Sequence, residues 1–135
     1  MGTLLDAYAL IAFLEDEPAA AEVAGLIGSG NSAISAVNLA EAGQRMLRNA
    51  DVTADELQQL VGSMPLGVVP FTEAHAWRAA SLRARHYRRR RTEISLADAC
   101  LLAVATPVDR VATADPAVLQ VAEAEGIVVV ELPGG

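Results

Sequence analysis

The sequence predicts an α/β fold built on a central parallel sheet of four to five strands, with helices on both faces. Three observations predict it. Short β-rich runs alternate with longer helix-forming segments, most of those segments carry their own start or stop signals, and no repeat, low-complexity tract or linker interrupts the order. Strand–helix–strand connections of this kind cross over right-handed and leave both faces of the sheet for helices to cover. The 135 residues suit one domain, 1–135, with a single core.

Residues 3–5 read as a short buried strand, and the apolar segment Ala7 to Leu14 as a helix that stops at Glu15-Asp16-Glu17. Pro18 opens a second helix, since its fixed φ suits a first turn, and Gly28-Ser29-Gly30 ends it. Ser32 to Ser35 is the second strand, followed by a helix from about Val37 to Arg48. Thr53 and Glu56 form a capping box for a helix that runs to about Ser63, before Pro65. Gly67 to Phe71 is the third strand, and Thr72 caps a long helix containing Trp77 and Leu82. After an arginine-rich segment, Ser95 caps a helix to Ala105, with Pro107 beyond its end. Val111 to Thr113 is the fourth strand, Pro116 begins the last helix, and Ile127 to Val130 is the final strand.

Composition narrows the function. Hydrophobic residues make up 53% of the chain, yet no apolar run approaches the roughly 18 to 20 residues of a spanning helix, so no membrane role is expected. The start Met1-Gly2-Thr3-Leu4-Leu5-Asp6 has no basic region and no small-residue cleavage site, which points to the cytoplasm. Cys100 is the only cysteine, excluding an internal disulfide and a cysteine-based zinc cluster, and its apolar neighbours make it a packed thiol. His75 and His86 have no second ligand at metal-like spacing. There is no nucleophile elbow and no phosphate-binding loop, and Gly25, Gly28 and Gly30 follow a helix where a dinucleotide fingerprint would follow a strand.

The net charge of −7 repels polyanions, so a nucleic-acid partner has to be met by a local patch. All ten basic residues are arginine, and six of them, Arg83, Arg85, Arg88, Arg89, Arg90 and Arg91, fall within nine positions. Guanidinium groups fork onto phosphate and stack on bases, which makes Arg88, Arg89, Arg90 and Arg91 candidates for RNA binding, against the alternative of a solvated turn.

Four acids carry the chemistry. Asp6 follows the first strand, Asp115 the fourth, and Asp98 lies in the first turn of its helix. Glu41 lies six residues beyond Ser35, roughly 9 Å along a helix. In open parallel sheets ligands bind at the carboxyl ends of the strands, where all four then gather. Asp6, Asp98 and Asp115 each also read as plain helix caps, and Asp98 reaches the rim only if its helix begins there. Glu41 has no capping role on an otherwise apolar or small-residue stretch. Carboxylates among apolar residues with no lysine nearby need a compensating cation. An arginine run leading into the Asp98 helix would set a phosphate-attracting arm beside that acidic pocket, as cutting a polyanion requires.

These residues resemble the PIN-domain ribonucleases, and within them the VapC-like toxins of bacterial toxin–antitoxin pairs, over nearly the whole chain. Leu4-Leu5-Asp6-Ala7-Tyr8-Ala9-Leu10 is similar to the first acidic motif of that family, and Ser35 with Leu39-Ala40-Glu41 to its second. Ile94-Ser95-Leu96-Ala97-Asp98-Ala99 is similar to the third, and Ala112-Thr113-Ala114-Asp115 to the fourth. Tyr8 departs from the pattern, standing where the family commonly carries a small polar residue. The resemblance implies a three-layer sandwich and endonucleolytic cleavage of RNA dependent on Mg²⁺ or Mn²⁺. It also implies a cognate antitoxin that folds onto the toxin. In that reading Asp6 and Asp98 bind metal directly, Glu41 and Asp115 directly or through water, and Thr113 holds the attacking water or a ligand carboxylate. Separately, the helix from Ala7 to Leu14 is apolar around most of its circumference, so it is either buried in the monomer or supplies a dimer or antitoxin surface, and a homodimer is expected. The competing reading, favoured by Tyr8, is an inactive module of the same fold whose acids serve as caps and whose surface serves a protein partner. A phosphoacceptor signalling domain needs a lysine near the site, and the chain has none.

Overall fold

The computed structural model describes residues 2–134. Twelve elements alternate much as the sequence predicts, and the strands carry the order. They are β1 (Thr3–Leu5), β2 (Ser32–Ser35), β3 (Leu66–Val69), β4 (Arg110–Thr113) and β5 (Val128–Glu131). All neighbours pair in parallel, in the order β3-β2-β1-β4-β5, so the first strand of the chain becomes the middle of a five-stranded sheet.

Side chains alternate across a strand, and the adjacent leucines of β1 divide the molecule into three layers. Leu4 joins Val111 under α5 (Glu73–His86), α6 (Leu96–Val104) and α7 (Pro116–Glu125). Leu5 and Ala112 face the opposite side, where Ala9, Ala12 and Val23 pack from α1 (Ala7–Leu14) and α2 (Ala20–Gly28). On that side too, Ile34 meets Leu10 and Ile11 of α1, Ala42 and Met46 of α3 (Ala36–Asn49), and Leu57 of α4 (Ala54–Gly62). With apolar residues above and below, β1 is a continuous buried run, as expected of a parallel strand with both faces covered.

Helix starts were the most legible boundaries, because each depends on one short-range bond. The Thr53 hydroxyl accepts from the Glu56 amide while the Glu56 carboxylate accepts from the Thr53 amide, closing the capping box. Thr72 and His75 close a second box at α5, while the Ser95 hydroxyl caps α6 by accepting the Asp98 amide alone. Other boundaries shift. Pro18 lies in the turn before α2, which begins at Ala20 without a side-chain cap. The strand expected from Gly67 to Phe71 runs from Leu66 to Val69, because register with Ser32 to Ser35 sets its limits. No described helix is long and apolar enough to cross a membrane.

Candidate active site

Asp6, Glu41, Asp98 and Asp115 line one cavity of about 330 Å³ at the carboxyl rim of the sheet, together with Ala7, Tyr8, Arg45, Ala114 and Gly134. Each acid arrives there for a local reason. β1 ends at Leu5, so Asp6 turns out at the rim as the N-cap of α1, its Oδ1 accepting the Ala9 amide at 2.7 Å. Asp115 does the same beyond β4, its Oδ1 accepting the amides of Ala117 and Val118 at the start of α7. Glu41 projects from α3, whose start is fixed by the Ser35 hydroxyl accepting the Asn38 amide.

Asp98 is held by a residue that the sequence reading did not single out. Asn38 is fully buried, and its Nδ2 donates to the Ala97 carbonyl at 3.2 Å, tying α3 to the first turn of α6. This long-range bond, with the Ser95 cap, begins α6 at the rim although the helix follows another helix. An asparagine one turn before an acid in a small-residue stretch was the available signal, but its partner lies 59 positions away.

Thr113 links two of the acids. Its buried hydroxyl donates to Asp6 Oδ2 at 2.7 Å and accepts the Asp115 amide at 3.0 Å. Asp6 thus has an acceptor bond on each carboxylate oxygen, one from a backbone amide and one from a hydroxyl.

Charge crowding marks the cavity. Burial raises the Asp6 carboxyl from its ordinary 3.8 to about 6 against the bonds from Thr113 and Ala9, with the charges of Asp115 and Glu41 pushing the same way. Asp98 rises to about 7, through burial first and the Asp115 charge second, opposed by Ser95 and assisted by Asp6 and Glu41. Among the described residues the salt bridges join Arg85 and His86 to Glu125, and none reaches these four acids.

The donor set is all carboxylate oxygen, which suits a hard divalent cation. Among the described residues no trio of His, Cys, Asp or Glu is gathered tightly enough to hold a metal ion by itself. Mg²⁺ keeps several waters and takes one or two carboxylates directly, so an open cavity in which Asp6 and Asp98 are raised chiefly by burial fits such an ion without a closed cage. Tyr8 contributes to the wall, and its phenol donates to the Pro133 carbonyl at 2.9 Å, bracing the tail beside the cavity.

The arginine run lies elsewhere. Arg88 bridges to Thr92 across a tight reversal with Arg90 in the left-handed region at φ 68°. Arg88 lines a separate cavity of about 180 Å³ with Arg85, His86, Thr92, Gln120, Val121 and Ala124, while Arg88, Arg89, Arg90 and Arg91 are absent from the lining of the acidic one. The cation that does line the acidic cavity is Arg45, a residue the sequence reading missed. Its spacing of four from Glu41 on one helix was the signal. A cavity of about 440 Å³ is an apolar groove between α1, α3 and α4 lined by residues including Leu14, Leu39, Leu47 and Val61.

A family model described as PIN domain matches residues 3–130. A comparison with curated proteins finds no match. Among solved structures, DNA-bound VapBC from Salmonella typhimurium is similar at a TM-score of 0.73 and 17% identity, covering 97% of this chain and 98% of that one. FitAcB from Neisseria gonorrhoeae is similar at 0.69 and 21% identity, covering 96% of each chain. A toxin–antitoxin complex from Klebsiella pneumoniae is similar at 0.62 and 18% identity, covering 84% of this chain and 87% of that one. At such identities the likeness is one of fold.

Proposed function

This chain belongs to the PIN-domain family, and on that premise we propose that it is a Mg²⁺- or Mn²⁺-dependent endoribonuclease acting as the toxin of a toxin–antitoxin pair. One observation carries the proposal: Asp6, Glu41, Asp98 and Asp115 line a single cavity at the sheet rim, with no salt bridge to offset their charge among the described residues.

Asp6 and Asp98 are the carboxylates we assign to direct metal contact, with Glu41 and Asp115 completing the site directly or through water. When bound, the cation supplies a water of lowered pKa and neutralises charge on the phosphoryl oxygens. Thr113 fixes the direction of the Asp6 carboxylate and, through the Asp115 amide, the start of α7. Asn38 and Ser95 hold Asp98 opposite them. Raised carboxyl affinities favour protonation without a metal, and cation binding reverses that preference.

The partner half of the proposal is supported by the apolar groove and by neighbours solved as toxin–antitoxin assemblies. We assign the groove to the antitoxin, whose apolar side chains would remove it from water. A homodimer remains part of the proposal, as does RNA binding by Arg88, Arg89, Arg90 and Arg91, which lie outside the lining of the acidic cavity.

The test is cleavage of structured RNA, with single-stranded DNA alongside, by the purified protein in Mn²⁺. Wild-type protein is expected to cut internally in RNA, and Asp6→Asn to lose at least a hundredfold in rate, on the order of an electrostatic catalytic contribution. Equal inactivity of the two proteins at matched folding supports the inactive-module reading instead.

A further inference from the structure

We infer that Arg45 grips the phosphate of the RNA strand as it enters the acidic cavity, so that the substrate approaches across α3. The inference rests on the nuclease reading of the same site and adds a named substrate contact to it. A polyanion meets four carboxylates in this cavity, and their repulsion has to be offset at the point of entry. Arg45 is the one arginine in the lining. It is exposed, and among the described residues its guanidinium makes no hydrogen bond or salt bridge, leaving its donor fork available. Its position on α3, four residues beyond Glu41, puts both on the same helix face, so the guanidinium stands beside the acids without being spent on them.

The other arginines near a cavity are differently placed. Arg85 is paired with Glu125, and Arg88 donates to the Tyr87 carbonyl beside α7. Both line a cavity separate from the acidic one. Arg45 acts on the phosphate next to the cavity, where bidentate binding fixes register as well as charge.

A labelled single-stranded RNA, titrated by anisotropy onto full-length Asp98→Asn protein, reads this contact without cleavage. Adding Arg45→Gln is expected to weaken binding roughly tenfold and to lower the slope of log K against log salt by about 0.7, the share of one phosphate on a single strand. Arg45→Lys should recover much of the salt slope but less of the affinity, a pattern that a packing role for an exposed side chain would not produce. In wild-type background with Mn²⁺, Arg45→Gln should raise KM about tenfold and leave kcat within a fewfold. Unchanged affinity, salt slope and KM overturn the Arg45 contact while leaving the nuclease standing. RNA binding that depends on Arg45, with no cutting by wild-type protein, keeps the contact and overturns the nuclease. No measurable RNA binding by the parent overturns both.

Discussion

Thr113 illustrates how one side chain organises the site. Fully buried, it spends its hydroxyl proton on Asp6 and its lone pair on the Asp115 amide, so the two acids cannot move independently. Burial and crowding then set the pH response of the metal-free protein. Asp6 and Asp98 hold protons more tightly folded, at about 6 and about 7, than unfolded, near 3.8. Between those values a rising pH strips protons that only the folded state retains, so their contribution to stability is present below the unfolded pKa and is lost as pH rises through the folded ones. In EDTA the melting temperature is expected to fall between about pH 5 and pH 8, by an amount on the order of 2 kcal/mol or roughly 5 °C. Millimolar Mn²⁺ should restore it at the upper pH and do little at the lower one. A flat profile, or one that ignores Mn²⁺, counts against the site. The acids were legible in the sequence because their apolar surroundings made them anomalous. Arg45 and Asn38 were not, since an exposed arginine and a helical asparagine look ordinary until their neighbours in space are known.

Two helix starts do double duty here: Asp6 and Asp115 satisfy free amides of α1 and α7 and also line the cavity. Asp115 is the clearest case, capping α7 through Ala117 and Val118 while adding charge beside Asp98. The two roles separate by substitution. Asp115→Asn keeps an acceptor for the amides and is expected to unfold in urea within a few tenths of a kcal/mol of wild type, yet to lose most RNA cleavage; Asp115→Ala should lose cleavage and about 1 kcal/mol as well. If Asn retains full activity, Asp115 is a cap and nothing more. Cap chemistry is local in sequence, which is why Thr53, Thr72 and Ser95 could be read as starts directly. Strand limits depend on the partner strand, so β3 and β5 were displaced by a residue or two from their expected positions. The reversal at Arg88 to Thr92 was likewise illegible: its direction follows from a positive φ at Arg90, which the sequence of like residues does not announce.

At the scale of the whole molecule, two surfaces of opposite character lie on either side of α3: the acidic cavity and the apolar groove. The division implies separable functions. Leu47 lines the groove and is 44% exposed, so Leu47→Asp should leave the melting temperature nearly unchanged. The same variant is expected to weaken capture of the proposed antitoxin partner at least tenfold, measured by co-purification and calorimetry, while RNA cleavage persists. Undiminished capture moves the antitoxin to another face. The sheet order carries a consequence for biosynthesis. The central strand β1 leaves the ribosome first, but one of its flanking strands, β4, is made more than a hundred residues later. Until then the nascent chain has Asp6 without Thr113 or Asp115 to complete its surroundings. A chain that stops short of Asp115 therefore lacks part of the acidic cavity, which is assembled only once most of the sequence has been translated.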